Sequence, residues 1–554
     1  LARTYAVGYR YGEQQLDKIN PIKDGTKISD PRPVDLRYRP VVQVSAGCHL
    51  KGAAMVHPCP HDPATIIAGV RHRFARRPPK SDPALLADLR VFVRSWIRRN
   101  LVPLSPNSDT SVETWLESTH YSRARKDELL KKWEEFTTLD DPSKKYRFCK
   151  SFMKDETYPK YKHARGINSR SDEFKCYMGP IFKLIENKLY KIHHFIKHVP
   201  VADRSKLIQE TLYREGGRYV ATDYTAFESL FVRELMDVCE FELYDYMTQA
   251  LPEHDKFMKE CWETLGGENI CDYKTFVVRL LATRMSGEMC TSLGNGFSNL
   301  MFMLFMCERK GCKEVDGYVE GDDGIFSMIG EPPSSDDFAK LGLNIKMDIH
   351  DRLSTASFCG IIFDEGDCLN VTDPREVLAS FGWTTSNYKC SKPNKLKMLL
   401  RAKSLSLAYQ YPGCPIIASL ARYGLRVTRS VSIERLLQKP SRMSMWEKEQ
   451  LIEARQAFRD KKWEKMTAVE VPIATRLLVE QMYNIPINVQ LDIEQYLDSL
   501  DDVQELDIPI VLDLVPQEWV HYYDNYCFDA PIRDPDLEYS STIWNQLDGF
   551  VREW

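Results

Sequence analysis

The chain has 554 residues, 43% of them hydrophobic and 28% charged, with a formal net charge of −4. This composition supports a large core with several subdomains, and no apolar run approaches the ~18 residues of a membrane-spanning helix. Fifteen cysteines, odd in number and irregularly spaced, argue for a reducing cytosolic setting and against a disulfide framework. The slightly acidic total conceals a division. Residues 491–554 hold 16 Asp and Glu against only Arg533 and Arg552. Removing these from the totals of 79 and 75 leaves 63 acidic and 73 basic residues in positions 1–490. The body is therefore about +10 and suits a phosphate backbone, while the C-terminal segment is about −14. The chain begins at Leu1 without a basic-then-apolar signal segment, and is read as a piece of a longer protein.

In chain order, residues 1–110 are rich in Pro and Arg with little clear period. Cys48, His49, His57, Cys59 and His61 would suffice for a tetrahedral zinc. Their spacing is irregular, so ordinary buried cysteines are the competing reading. The basic run of residues 71–80 either lines a nucleic-acid channel or is a solvated loop. Residues 83–99 read as a helix, with Leu86, Leu89, Phe92, Val93 and Trp96 at helical spacing and Pro83 in the first turn. Residues 366–490 read as mostly helical, with 399–408 as one element. There is no internal repeat, and no Gly-Lys dipeptide, which excludes a Walker A motif and the helicases built on it.

Three stretches carry chemistry. Residues 218–223 form a β-prone run ending in Asp223, and the apolar period changes to helical after Glu228, at Phe231, Leu235 and Val238. Residues 285–299 place Thr291, Asn295 and Asn299 on one helix face behind a Ser286-Gly287 loop. Such an uncharged face suits a sugar hydroxyl and a backbone, although a plain capped helix also fits. Leu300 to Cys307 continue that helix as core. Residues 318–326 read as a β-hairpin with Asp322 and Asp323 at a glycine-flanked tip. Two like charges there call for a cation, and Asp223 brought alongside would complete a set of hard oxygen donors for Mg²⁺.

In that order and spacing, Asp223-x4-Glu228, Ser286-Gly287-x3-Thr291-x3-Asn295 and Gly321-Asp322-Asp323 resemble motifs A, B and C of the viral RNA-dependent RNA polymerases. Further segments match as well. Lys154-Asp155-Glu156 and Arg165 to Arg170 resemble the basic motif F, with residues 178–186 after it. Residues 121–126 resemble motif G, 342–346 motif D, and 358–360 motif E. The resemblance covers roughly residues 110–365 and points to positive-strand RNA viruses of tombus-, noda- and flavivirus-like lineage. It implies an α+β right-hand fold: fingers, a palm with a small antiparallel sheet, and a thumb, with the fingers closing onto the thumb. The corresponding boundaries are 1–215 fingers with an N-terminal extension, 216–244 palm, 245–284 fingers insertion, 285–365 palm, 366–490 thumb, and 491–554 an acidic C-terminal segment.

The resemblance also implies the site. Asp223, Asp322 and Asp323 bind the metals, Mg²⁺ or alternatively Mn²⁺. Lys154, Arg165 and Arg170 hold the triphosphate. Ser286, Thr291, Asn295 and Glu228 contact the nucleotide, and Lys346 is a general acid. Glu228 departs from the family, which has Asp there, so the ribose contact must be built differently. The partners implied are template and product RNA, ribonucleoside triphosphates and other viral replicase proteins, in host cytoplasm at membrane-associated replication complexes. A reverse transcriptase shares the carboxylates, but the Ser-Gly-x3-Thr-x3-Asn set disfavours it. A catalytically idle RNA-binding subunit is disfavoured by the intact aspartates. The acidic segment, which includes Trp519, Tyr522 and Trp544, has too many aromatics for a purely disordered tail. One reading folds it back towards the active-site cavity; the alternatives are a solvated acidic edge on the thumb or a docking site for another replicase protein.

Overall fold

The computed structural model describes residues 21–29, 44–51, 58, 60–61, 63–119, 121–136, 143–154, 156, 162–384, 388, 390–434, 436, 451–457 and 468–508. Its strands are β1 (Lys27–Ser29), β2 (Val44–Ser45), β3 (Phe148–Met153), β4 (Gly166–Arg170), β5 (Arg218–Tyr224), β6 (Glu268–Asp272), β7 (Val277–Leu281), β8 (Lys313–Glu320), β9 (Asp323–Ile329), β10 (Ile345–His350) and β11 (Trp383–Thr384). They form three open sheets. One has the order β1-β7-β6-β3-β4, one β10-β5-β9-β8, and one is the two-stranded β11-β2. The four-stranded sheet is antiparallel throughout.

The helices that matter for the site are α1 (Pro83–Asn100), α2 (Asp172–Leu189), α3 (Thr291–Lys310), α4 (Pro393–Gln410), α5 (Ile417–Val427) and α6 (Ile487–Ser499). Helix α1 starts as its sequence dictates. Asp82 accepts a hydrogen bond from the Ala84 N–H, Pro83 occupies the first turn, and Leu86, Leu89, Phe92, Val93 and Trp96 are buried. The apolar stretch 300–307 is buried apart from the half-buried Leu304, as part of the largest core, which also receives α1, α2 and the four-stranded sheet. After Glu228 the chain breaks into shorter helices than the period predicts, Phe227–Leu230, Arg233–Val238 and Glu240–Thr248. The stretch 71–80 is not simply a solvated loop: Arg71 and Phe74 are buried in a helical turn, and His72 stacks on His163 at 4.1 Å.

A second core gathers α4, α5 and α6 with Cys48 and Leu50 from near the N-terminus. Helix α6 opens the acidic segment. It is held to α5 by Arg422–Asp498 at 3.0 Å and by Arg426, whose Nε donates to the Leu500 carbonyl at 3.0 Å. Residues 491–508 therefore dock on the C-terminal helical body, which corrects the fold-back expectation for this part. Residues 509–554 lie outside the described residues. No described helix is long and apolar enough to cross a membrane.

Candidate active site

The β8–β9 hairpin is as tight as its sequence suggests. Glu320 pairs with Asp323, leaving Gly321 and Asp322 as the two tip residues, with Gly321 at φ +64°. Strand β5 lies beside β9 with Thr222 opposite Gly324, so Asp223 emerges at the same end of the sheet as the tip. On the other side of β5, Lys346 of β10 stands directly opposite Asp223. Its Nζ rests on the Asp348 carboxylate at 3.1 Å and is largely exposed.

The carboxylates feel one another. Burial pushes Asp322 up to about 7, aided by the charges of Glu228 and Asp323. Desolvation also raises Asp323. The Cys359 thiol lowers it, the charges of Asp223 and Glu320 raise it, and Arg165 opposes them. The aspartate carboxylates at this end are hard oxygen donors of the kind divalent cations take, but the three aspartates are not drawn into one ligating cluster within 4.8 Å. Asn299 braces the tip, its amide donating to the Asp322 carbonyl at 3.0 Å and the Gly321 carbonyl at 3.3 Å.

Beside the tip, helix α3 presents the face expected of it. The Asn295 amide donates to Glu228 Oε1 at 3.4 Å. Glu228 is thus joined to the α3 face through Asn295. Asn295 Oδ1 is buried without a hydrogen-bond partner. Thr291 serves the loop before α3, donating to the Met285 carbonyl at 2.8 Å and accepting from the Glu288 N–H at 3.1 Å. Ser286 donates to the Gly166 carbonyl at 2.6 Å, tying the loop to β4.

The basic residues divide. Lys154 and Arg165 face each other across the end of the β3–β4 ladder, where the Lys154 N–H donates to the Arg165 carbonyl at 2.9 Å. Both flank Glu156, at 3.0 and 4.0 Å. Arg165 is close enough to act on Asp322 and Asp323. Arg170 requires a correction. Its guanidinium is wholly buried, bonded to Glu288, to Asn269 and to the Tyr146 carbonyl at 3.2 Å. A guanidinium so enclosed does not reach a triphosphate.

Sequence reading missed what holds this site. Arg170–Glu288 is one of two buried ion pairs about the Ser286-Gly287 loop. The other is Arg284–Glu240, where Tyr244 also donates to Glu240 at 2.9 Å and Arg284 lies over the Phe231 ring at 4.6 Å. Cys359, at φ +52°, turns its thiol towards Asp323 and lies 3.7 Å from Glu320, which is paired with Arg204. No periodicity links residues so far apart in the chain. Among the metal candidates, Cys48 is buried in the second core and His49 bonds Ser45 at 2.6 Å. His57 and Cys59 lie outside the described residues. The group of three ligating side chains found within 4.8 Å among the described residues is His193, His194 and Asp316.

No curated protein matches the chain. The family model for viral RNA-dependent RNA polymerase matches residues 125–411, which span β3 to the end of α4 and contain the acidic tip, the α3 face and the basic ladder end. Members of this family are nucleotidyltransferases that act on RNA and ribonucleoside triphosphates with divalent metals. The chain belongs to the viral RNA-dependent RNA polymerases and is an RNA-directed RNA polymerase.

Proposed function

We propose that this polymerase copies a viral RNA genome by two-metal nucleotidyl transfer at the Asp223–Asp322–Asp323 end of the four-stranded sheet. The observation that carries this is the convergence of β5 and the β8–β9 tip, where burial and like charge push Asp322 up to about 7. Asp223 and Asp322 would hold both ions and Asp323 would assist; Mg²⁺ is the expected metal and Mn²⁺ the alternative. When bound, the ions supply positive charge to the attacking and leaving oxygens. The 3′-hydroxyl of the growing RNA forms a bond to the α-phosphorus of the incoming triphosphate, and the bond to the departing pyrophosphate breaks. Lys154 and Arg165 hold the triphosphate, and Arg165 offsets its developing charge. Lys346, opposite Asp223, passes a proton to pyrophosphate. Glu228 and Asn295 receive the ribose 2′-hydroxyl.

In this reading the sheet containing β3 belongs to the fingers and the four-stranded sheet to the palm. The α4–α6 body is the thumb, and residues 44–51 are the link that closes fingers onto thumb. The tombus-, noda- and flavivirus-like lineage, work alongside other replicase proteins, and a setting at cytoplasmic membrane-associated complexes are part of the same proposal. Primer extension on a defined RNA template tests it. Asp223→Asn and Asp322→Asn should each abolish synthesis while RNA binding stays largely intact, and Asp323→Asn should be milder. Near-normal extension by the Asp322→Asn protein would refute the assignment.

A further inference from the structure

Strand β3 alternates strictly. Cys149, Ser151 and Met153 are buried, and Phe148, Lys150 and Phe152 point the other way. The strand lies inside the sheet order, with β4 along Cys149 to Met153 and β6 beside Phe148 to Lys150. Yet Phe148 is 48% exposed and Phe152 49%, the two exposed phenylalanines among the described residues, and neither packs into any of the hydrophobic cores there. An interior strand with two bare aromatic rings on one face marks a contact surface. Lys150 stands exposed between them and carries no ion pair among the described residues. It lies opposite Ser169 on β4 and Asp272 on β6; Asp272 accepts from the Lys274 N–H in its own turn at 2.9 Å. The ladder continues one step beyond β3, through the Lys154 N–H to Arg165. The alternation therefore carries the stripe Phe148, Lys150, Phe152 on to Lys154, next to the arginine that acts on the catalytic aspartates.

We propose that this stripe is a stacking surface for single-stranded template RNA on its way to the active site. Alternating rings and ammonium groups match the alternating bases and phosphates of an unpaired strand. Phe148 and Phe152 are four residues apart, about 13 Å along a strand, too far for the one base of a nucleotide substrate. A duplex keeps its bases stacked inside and offers no ring faces here, which favours the unpaired template over the product helix. The basic balance of residues 1–490 agrees with a phosphate partner.

The test is the affinity of the whole chain for a fluorescent, unstructured 12-nucleotide RNA, measured by anisotropy in EDTA. This readout needs no catalysis, so the Asp322→Asn protein should bind as wild type does and the two proposals fail separately. Phe148→Ala and Phe152→Ala should each weaken binding roughly 5- to 100-fold. Phe152→Leu, which keeps bulk and loses the ring, should weaken it as well. Lys150→Ala should reduce the salt dependence by about one phosphate contact. Replacing RNA nucleotides with abasic ones should cost the wild type affinity and the double phenylalanine variant little. Unchanged RNA affinity in a folded double variant overturns the proposal, as does a wild type indifferent to abasic RNA. A double variant that binds RNA normally but has lost self-association in sedimentation would make the face a protein contact, and would equally overturn it.

Discussion

Asp322 is placed against its own charge. Its folded pKa, raised to about 7, lies above the ~3.9 of an unfolded aspartate, so its protonated form favours folding. That contribution is complete below the unfolded value and is lost as pH rises through 7. Without metal, Asp322→Asn should therefore stabilise the protein above pH 7, on the order of a few kcal/mol. The gain should vanish near pH 4. Thermal melts in EDTA across that range check it, and added Mg²⁺ should raise the wild-type melting temperature far more than the variant's. If Glu228 and Asn295 receive the ribose 2′-hydroxyl as proposed, Glu228→Ala or Asn295→Ala should erode the preference for ribo- over deoxyribonucleotides more than it weakens triphosphate binding. An unchanged preference in both variants would put the ribose contact elsewhere. These residues were legible because each stands in a short ordered motif whose chemistry needs that residue type. Arg170 misled for the same reason: an arginine in a basic motif looks identical whether it faces a phosphate or Glu288.

The loop of Ser286 and Gly287 depends on its two buried ion pairs. Removing one partner of such a pair leaves an unpaired buried charge, at a cost of about 3–5 kcal/mol. Glu288→Gln and Arg284→Met should each cost stability of that order, seen in denaturant melts. Arg170→Met combined with Glu288→Leu should recover part of the loss. Gly294 belongs to this arrangement, because a Cβ there would lie 2.5 Å from Glu240 Oε2 and 2.6 Å from the Arg284 guanidinium. Gly294→Ala should push the pair apart and lower both stability and synthesis. At this scale legibility followed distance along the chain. Helix α1 carries its cap, its proline and its apolar stripe within itself. Arg170 and Glu288 are 118 residues apart, and only the folded chain brings them together.

The largest scale shows how the two ends of the chain share one core. Strand β2 pairs with β11, and the Lys51 N–H donates to the Leu506 carbonyl at 2.8 Å. Gly382 sits at φ +79° with its missing Cβ 2.6 Å from the Cys48 carbonyl. Gly382→Ala should therefore loosen residues 44–51 from the α4–α6 body, read as faster hydrogen exchange confined to both partners. The same core corrects where the C-terminal segment can be cut. Truncation at 490 would remove most of α6 and its ties to α5. Truncation after Ile508 would keep α6 and its ties to α5. Charge counting revealed the acidic segment but not its division, because it does not show that Glu494 and Asp498 of α6 pair with Arg476 and Arg422 of the helical body.

Lys51 and Asp507, 456 residues apart, meet across this junction. During synthesis Lys51 must wait for the 456 residues up to Asp507 before it meets this partner. The five-stranded and four-stranded sheets and the acidic tip have no such requirement, since their strands all lie within residues 27–350. A nascent chain can thus assemble its acidic tip before the strap of residues 44–51 is fastened. Chains released early would carry that tip without the strap.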